Sequence, residues 1–300
     1  MLKICILLVA SLAGVLSMPS HAAAADDAYV KEVEAWRAGR IERLTAPDGW
    51  LSLVGLAWLA EGRNTLGSDP ANDIIIATAP PRLGVVELEE GKATISLEPE
   101  AGATIDGKTL STAPLLDDAH EHPTTVAFGT TRFYLIERNG KHGLRIKDSE
   151  AATRVNFLGI DSFAIDPAWR IEARWVPFDP PHTLEVQNVL GLIDKYPVPG
   201  KAVFSRGGKE FELLPVIEVP GDTELFLMFA DRTSGKETYG AARFLYAPMP
   251  RDGRIVLDFN KAYNPPCAFT PFATCPLAPP ENRLDLAITA GEKKYRGGGH

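Results

Sequence analysis

A proline-rich loop near the carboxyl end, residues 258–284, concentrates side chains that could form a binding site. It reads DFNKAYNPPCAFTPFATCPLAPPENRL and holds six prolines among Asn, Asp, Tyr and Glu side chains. Proline removes a backbone donor and fixes φ, so the segment suits neither a helix nor the interior of a sheet. Long irregular loops in compact domains are usually functional or disordered, and disordered segments lack large apolar residues. We therefore expect an ordered, functional loop.

Two polar clusters supply the candidate ligand-binding residues, one in the stretch DRTSGKETYGAAR and one in and around the proline-rich loop. An arginine that holds a carboxylate with two hydrogen bonds, helped by asparagine amides, is a sensible binding chemistry. We expect the two clusters to line one pocket. The candidates are Arg170, Asp231, Thr233, Tyr239, Arg243, Asn260, Tyr263, Asn264, Glu281 and Asn282.

The same clusters have a structural interpretation. Asparagine before proline often stabilises a turn, and a loop needs side chains to satisfy its buried backbone groups. In this interpretation Asp258 and Arg283 pair across the base of the loop.

An enzymatic alternative is also open at this point. It is a hydrolase or lyase that acts on a small acidic or carbohydrate substrate with Asp231, Tyr239, Arg243 and Glu281. The patterns HExxH, GxSxG and CxxC are missing from the sequence. Residues 102–109, GATIDGKT, match GxxxxGK[ST], but they lie among short predicted strands and do not open a helix, so no recognised catalytic motif supports this alternative. Whether the chain is an enzyme stays undecided by the sequence.

Cys267 and Cys275 are the two cysteines that follow the amino-terminal segment. In an oxidising compartment, two cysteines eight positions apart predict a disulfide that closes a small loop. A metal or redox pair and two unpaired buried thiols are the alternatives. Zinc ligands usually lie two to four residues apart, so the spacing disfavours a metal site. We expect a disulfide, no metal and no cofactor.

The first 25 residues are typical of a signal peptide. Lys3 precedes an apolar run from Ile4 to about Met18, and small residues follow it up to Ala25. We expect cleavage after Ala22 or Ala25 and a periplasmic or secreted mature protein. The run is too short for a comfortable membrane span.

The net charge of −8 argues against nucleic acid as a partner. We expect no nucleic acid partner and no membrane span. The expected partner is a small molecule or another protein.

The rest of the chain predicts a mainly β fold in two units. Residues 26–48 carry apolar residues at helical spacing and predict a helix that packs against the first sheet. Short β-branched segments with turns, including a hairpin turn at Asn139-Gly140, predict a β-sandwich over residues 49–149. Further strands and hairpins predict a second antiparallel sandwich or barrel-like unit over residues 150–300.

Part of the first unit resembles a forkhead-associated domain. The stretch GSDPANDIIIATAPPRLG and the strands IDGKTL and FGTTRFYLIER carry the likeness, over about a third of the chain. Phosphopeptide-binding members have an Arg after the first Gly and a Ser-x-x-His motif. Here Ser68 follows Gly67, and residues 79–82 contain neither Ser nor His. The resemblance therefore implies the fold without phosphothreonine recognition.

Three blocks in the same order resemble a prokaryotic family of uncharacterised proteins, known only as a domain of unknown function. The blocks are PDGWLSLVGLAWLAEGRNTLGSDPANDI, DRTSGKETYGAARFLYA and DFNKAYNPPCAFTPFATCPLAPPENRLDLAI. The resemblance implies no established reaction. Our leading hypothesis is an exported, β-rich protein that binds a small ligand or partner at the proline-rich loop.

Overall fold

The computed structural model describes residues 21–297. The predicted signal peptide, residues 1–25, lies outside this range except for its last five residues, whose side chains are not described. None of the described helices is both long and apolar enough to cross a membrane.

Two α-helices and sixteen strands make up the described part of the chain. The helices are α1 (His21–Thr45) and α2 (Ala152–Val155). The strands are β1 (Leu53–Trp58), β2 (Gly62–Gly67), β3 (Ile74–Ile75), β4 (Gly84–Glu89), β5 (Lys92–Leu97), β6 (Thr104–Ile105), β7 (Thr112–Leu115), β8 (Thr125–Phe128), β9 (Thr131–Arg138), β10 (Lys141–Asp148), β11 (Arg170–Gln187), β12 (Ile193–Arg206), β13 (Lys209–Leu213), β14 (Glu224–Phe229), β15 (Arg243–Pro248) and β16 (Arg254–Asp258). The predicted mainly β fold with an amino-terminal helix is confirmed.

The strands β1 to β10 form two five-stranded sheets that share one apolar core. Their orders are β1-β10-β9-β8-β6 and β3-β2-β4-β5-β7. Alternate residues of β4 and β5 are buried, as expected for strands with one face toward the core. Asn139 and Gly140 join β9 to β10 with φ of 53° and 76°, the left-handed values that the predicted hairpin turn needs.

The strands β11 to β16 form a second, curled assembly. The long hairpin of β11 and β12 lies between β13 and β16, and β14 pairs with β15. Trp169, Phe229, Leu245 and Leu257 belong to one core that both groups of strands share. The strands β14 and β15 are buried over most of their length, so both contribute to this core.

Helix α1 packs against the second unit and the proline-rich loop, so its predicted packing against the first sheet is wrong. Leu44 lies in a small apolar cluster with Ala268 and Phe269 of the loop. One turn earlier, Arg40 forms an ion pair with Glu292 at 3.0 Å. The buried face of the helix is thus partly ionic, which an apolar helical pattern does not reveal.

The proline-rich loop is irregular but closely packed. Three short 3-10 turns, Phe259–Lys261, Pro266–Ala268 and Pro280–Asn282, are its regular elements. Phe259 and Phe269 are 0% and 2% exposed. Residues this buried show that the loop is part of the core of the second unit.

We expect Arg40→Ala to lower the free energy of unfolding by about 3 to 5 kcal/mol, because it leaves the buried Glu292 carboxylate without its cation. Arg43→Ala is a matched control, since Arg43 lies on the same helix and is exposed. The control should change the free energy of unfolding by no more than about 0.5 kcal/mol. Urea denaturation followed by circular dichroism measures both variants.

The loss of unfolding free energy in Arg40→Ala should depend on pH. Burial raises the pKa of Glu292 above its ordinary value of 4.5, and Arg40 opposes the rise. Without Arg40 the pKa of Glu292 in the folded protein is higher still. A raised folded-state pKa of a carboxyl costs stability as the pH rises above the unfolded value. The deficit of Arg40→Ala should therefore shrink as the pH falls toward 4.5, and a deficit that is constant with pH would contradict this account.

Candidate functional site

A cleft of about 590 Å³ opens between helix α1 and the strands β14, β15 and β16. This volume lies within the usual range for small-molecule sites. Residues 231–243 do not line it, although all of them are described, so this cleft is not the expected pocket between the two polar clusters. The lining residues are Glu32, Trp36, Arg40, Arg43, Trp50, Arg170, Glu218, Glu224, Phe226, Phe244, Tyr246, Pro248, Val256, Asp258, Lys261, Tyr263 and Pro266.

Aromatic rings form a largely buried surface along the cleft, in which Phe226 and Phe244 are 2% and 5% exposed. Phe226 and Tyr246 are cross-strand partners in β14 and β15, with ring centroids 5.0 Å apart. Phe244 lies 4.8 Å from Phe226, and Tyr263 stacks on Tyr246 at 6.3 Å. Trp36 of α1 continues the series, 6.2 Å from Tyr263. The surface arises because alternate residues of a strand share one face.

Arg40 and Glu292 fix the helix wall of the cleft to the proline-rich loop. Arg40 also donates to the Asn264 carbonyl at 2.7 Å, and its guanidinium lies 4.4 Å from the centre of the Tyr263 ring. The second oxygen of Glu292 accepts from the Asn264 backbone N–H at 2.7 Å. The position of Tyr263 in the cleft therefore depends on this buried network.

Asp258 lies at the end of β16, where the strand enters the loop, and is 8% exposed. Its Oδ1 accepts from the Tyr29 hydroxyl at 2.7 Å and from the Asn260 backbone N–H at 3.2 Å. Its Oδ2 has no hydrogen-bond partner, and the Lys261 ammonium lies 3.7 Å away. The predicted pairing of Asp258 with Arg283 is wrong, because Tyr29 and Asn260 occupy the carboxylate instead.

Glu218 and Tyr246 form a second polar pair in the cleft. The Tyr246 hydroxyl donates to the Glu218 carboxylate. Desolvation raises the pKa of Glu218, with a further contribution from Asp222, and burial together with the neighbouring Tyr263 raises the pKa of Tyr246. Both groups thus keep their protons to a higher pH than in water.

Asp231 and Arg243, two of the predicted site residues, form a buried ion pair beneath the strands. Their side chains are 0% and 1% exposed. Arg243 also donates to the carbonyls of Ile288 and Ala290, and Asp231 accepts from the Thr233 backbone and hydroxyl. These three residues bond to one another and to the backbone and lie outside the cleft.

The predicted asparagines also satisfy backbone groups. The Asn282 side chain donates to and accepts from the Leu214 backbone, at 3.0 and 2.7 Å. Asn260 makes the same kind of double contact with Asp166, at 2.8 and 3.0 Å. Asn264 donates to the Lys293 carbonyl at 2.7 Å.

The remaining predicted residues fall in different places. Arg170 and Tyr263 line the cleft. Tyr239 donates to the Cys267 carbonyl at 3.3 Å, and burial raises its pKa to about 12. Glu281 is exposed. The structure therefore brings only two of the ten predicted residues, Arg170 and Tyr263, into the cleft.

Cys267 and Cys275 are free and buried, so the structure does not support the predicted disulfide. The backbone N–H of each cysteine donates to the sulfur of the other, at 3.2 and 3.3 Å. The two thiols are close neighbours that stabilise the turn by hydrogen bonding.

Sequence reasoning missed most of the aromatic and helical wall. Glu32, Trp36, Arg40 and Arg43 recur along one face of α1, and this spacing is visible in the sequence. The aromatic residues of β14 and β15 give no such signal, because an apolar strand residue can face either a core or a cleft.

Residues 155–293 match a family model described as "Protein of unknown function (DUF1684)". Over this segment the chain belongs to an uncharacterised family. The segment contains two of the three blocks that carry the resemblance found in the sequence, and the block at residues 47–74 lies before it. The likeness of the first unit to forkhead-associated domains is not confirmed. No curated protein matches the chain.

One solved structure with a matching sequence is the solution NMR structure of an uncharacterised protein of Haloarcula marismortui. It is 31% identical to this chain, and the match covers 47% of this chain and 78% of that chain with a TM-score of 0.40. Neither this neighbour nor the family supplies a described function, so the cleft itself must indicate one.

We expect Asp231→Asn to lower the free energy of unfolding by about 3 to 5 kcal/mol, because it leaves the buried Arg243 charge uncompensated. Asp285→Asn is the matched control. Asp285 pairs with Arg232 on the surface, where both side chains are more than half exposed, and an exposed pair contributes about 0 to 1 kcal/mol. Chemical denaturation of the two variants gives the comparison. Equal losses would show that the Asp231 pair has no special structural role.

Proposed function

We propose that this protein binds a small ligand in the aromatic cleft between α1 and the strands β14 to β16. The observation that carries the proposal is a cavity of about 590 Å³ bordered by Tyr246 and Tyr263, with the buried rings of Phe226 and Phe244 behind them. Small-molecule sites combine an apolar lining with a few fixed polar groups. The proline-rich loop contributes Tyr263 and Asp258 to the lining of the cleft.

The rigidity of the walls supports binding. Arg40 is tied to Glu292 and to the Asn264 carbonyl, and Lys261 pairs with Glu32 of α1. Helix and loop are thus held together before any ligand arrives. A preformed site loses less entropy on binding than one that must be ordered.

The enzymatic alternative has less support. Its four residues do not converge, because Asp231 and Arg243 are paired beneath the strands, Tyr239 bonds to the Cys267 carbonyl and Glu281 is exposed. Arg243 lies at 1% side-chain exposure, where it has no access to a substrate. Binding is therefore the function that the geometry favours.

Tyr246→Ala tests the proposed site. Ligand binding should fall at least tenfold, since an aromatic contact of this kind is worth about 1 kcal/mol beyond the area it buries. A library of small metabolites, followed by Trp fluorescence, provides the measurement, because Trp36 and Trp50 both line the cleft. Hits are confirmed by titration calorimetry.

Tyr134→Ala is the matched control for this experiment. Tyr134 lies on β9 in the first unit, is also partly exposed and does not line the cleft. It should bind each hit as the unmodified protein does. Binding that Tyr246→Ala leaves unchanged would place the ligand elsewhere, and a library without hits would argue against the proposal.

We further propose that the chain is exported to the periplasm or secreted. The support is the amino-terminal sequence alone, in which Lys3, an apolar run and small residues follow one another. Amino-terminal sequencing of the protein purified from the periplasm should give a chain that starts at Ala23 or Asp26. Retention of Met1 in a cytosolic fraction would contradict export.

A further inference from the structure

One end of the cleft is acidic. Glu218 and Glu224 both line it. They lie close together, because Val216 and Phe226 form an antiparallel bridge and each glutamate is two residues from one member of that bridge. Glu224 is exposed and forms no ion pair among the described residues. Carboxylates of like charge that lie close together repel each other, and a cation between them relieves the repulsion.

The opposite end of the cleft, along helix α1, is basic. Arg40 and Arg43 line it together with Trp36. The charge of Arg40 is met by Glu292 at 3.0 Å, whereas Arg43 is exposed and forms no ion pair within the part of the chain that the structure describes. A guanidinium group can hold a carboxylate with two parallel hydrogen bonds. The cleft therefore offers one position for a cation and another for a carboxylate.

The side chains between the two ends indicate how long such a ligand is. The Tyr246 hydroxyl donates to Glu218, and the ring centroids of Tyr246 and Tyr263 are 6.3 Å apart. The Arg40 guanidinium lies 4.4 Å from the centre of the Tyr263 ring, and Arg43 follows on the next turn of α1. An extended chain advances about 3.3 Å per residue, so about three or four residues reach from the acidic end to the basic end.

Strand β15 has a free backbone edge between these ends. Among the described strands it pairs with β14 alone. On its other edge, Phe244 exchanges both backbone hydrogen bonds with Tyr263. Backbone groups alternate in direction along an antiparallel strand, so those of Tyr246 point the same way as those of Phe244. Phe226 is the cross-strand partner of Tyr246 and agrees with this direction, since its own N–H and C=O bond to Val216.

The pairing that Tyr263 begins is not continued along this edge by any described residue. Phe259–Lys261 forms a 3-10 turn instead, and β15 ends at Pro248. The N–H and C=O of Tyr246, a residue that lines the cleft and is 38% exposed, therefore face a position that a further strand would occupy. Adding an extended peptide to a free strand edge is a recurrent mode of peptide recognition, in which main-chain hydrogen bonds supply affinity.

We propose that the cleft binds an extended peptide of about three or four residues, with its amino terminus at Glu218 and Glu224 and its carboxylate at Arg43. The peptide runs antiparallel to β15, because that strand begins beside Tyr263 and ends at Pro248, the cross-strand partner of Glu224. This inference rests on the proposed small-ligand function and adds the chemical class of the ligand.

The first test changes the peptide and leaves the protein unmodified. Pools of tripeptides and tetrapeptides without tryptophan are titrated into the protein, and the fluorescence of Trp36 and Trp50 in the cleft reports binding. We expect the pool with free ends to bind. The N-acetylated pool, the C-amidated pool and the free amino acids should each bind at least about tenfold more weakly, because each lacks one charged contact or the length to make both. Equal binding of all the pools would overturn the assignment of the two ends.

The second test assigns each end to its residue. Arg43→Gln should weaken binding of the free-ended pool by at least about tenfold and that of the C-amidated pool by less than about twofold, because the amidated peptides have no carboxylate to lose. Glu224→Gln should show the same contrast between the free-ended and the N-acetylated pools. Arg174→Gln and Glu210→Gln are the matched controls. They change an exposed ion pair outside the cleft and should leave binding unchanged.

The third test concerns the strand edge. Amide hydrogen exchange of Tyr246, measured by NMR, should slow at least about tenfold when the free-ended pool is added, because its N–H becomes hydrogen-bonded. Leu245 is the internal control, since its backbone groups point toward Leu227 of β14 and are protected before the peptide is added. Peptide binding that leaves the exchange of Tyr246 unchanged would overturn the added strand.

The outcomes separate this inference from the proposed function. Binding of small metabolites but of no peptide pool, at a site that Tyr246→Ala removes, would overturn the peptide inference and leave the small-ligand function standing. Failure of the peptide pools and of the wider metabolite library would overturn both.

Discussion

The second unit of this protein depends on how backbone hydrogen bonds are satisfied in a segment that does not pair with neighbouring strands. Residues 259–284 contain six prolines and form no strand. Their buried N–H and C=O groups therefore need side chains as partners, because an unpaired buried backbone group is costly. Buried asparagines, aspartates and arginines meet this need. Their abundance in the loop is first of all a consequence of its irregular backbone.

This constraint separates the polar residues of the region into two groups. Asn282 and Arg243 direct donors to backbone carbonyls or to a buried carboxylate, and both lie outside the cleft. Arg170 and Tyr246 are different, because they line the cleft and are exposed. Binding capacity is thus found where the structural need has already been met.

The sequence predicted the fold class well, and it predicted the site only in part. Period-two alternation in β4 and β5 and the turn at Asn139-Gly140 report local geometry, so they could be found without coordinates. The position of α1 could not be predicted from the sequence, because its buried contact with Glu292 joins residues 252 positions apart. The side of the sheet to which Tyr246 points could not be predicted either, since it depends on the packing of β14 and β15 against the loop.

The absence of Asp231 and Arg243 from the cleft follows from the same physics. The candidates were chosen by residue type, and a buried Asp-Arg pair has the composition of an active site. Arg243 is at 1% side-chain exposure and donates to three acceptors, so most of its hydrogen bonds are made within the protein. The Asp258 carboxylate has one oxygen that accepts hydrogen bonds and one that accepts none. The informative property of a buried polar residue is therefore the number of its hydrogen bonds that the protein leaves unmade. Among the described residues this holds for single buried atoms of Arg37, Arg145, Arg243, Asp258 and Asn264, so an unmade hydrogen bond marks a ligand site only where a cleft gives access to the atom.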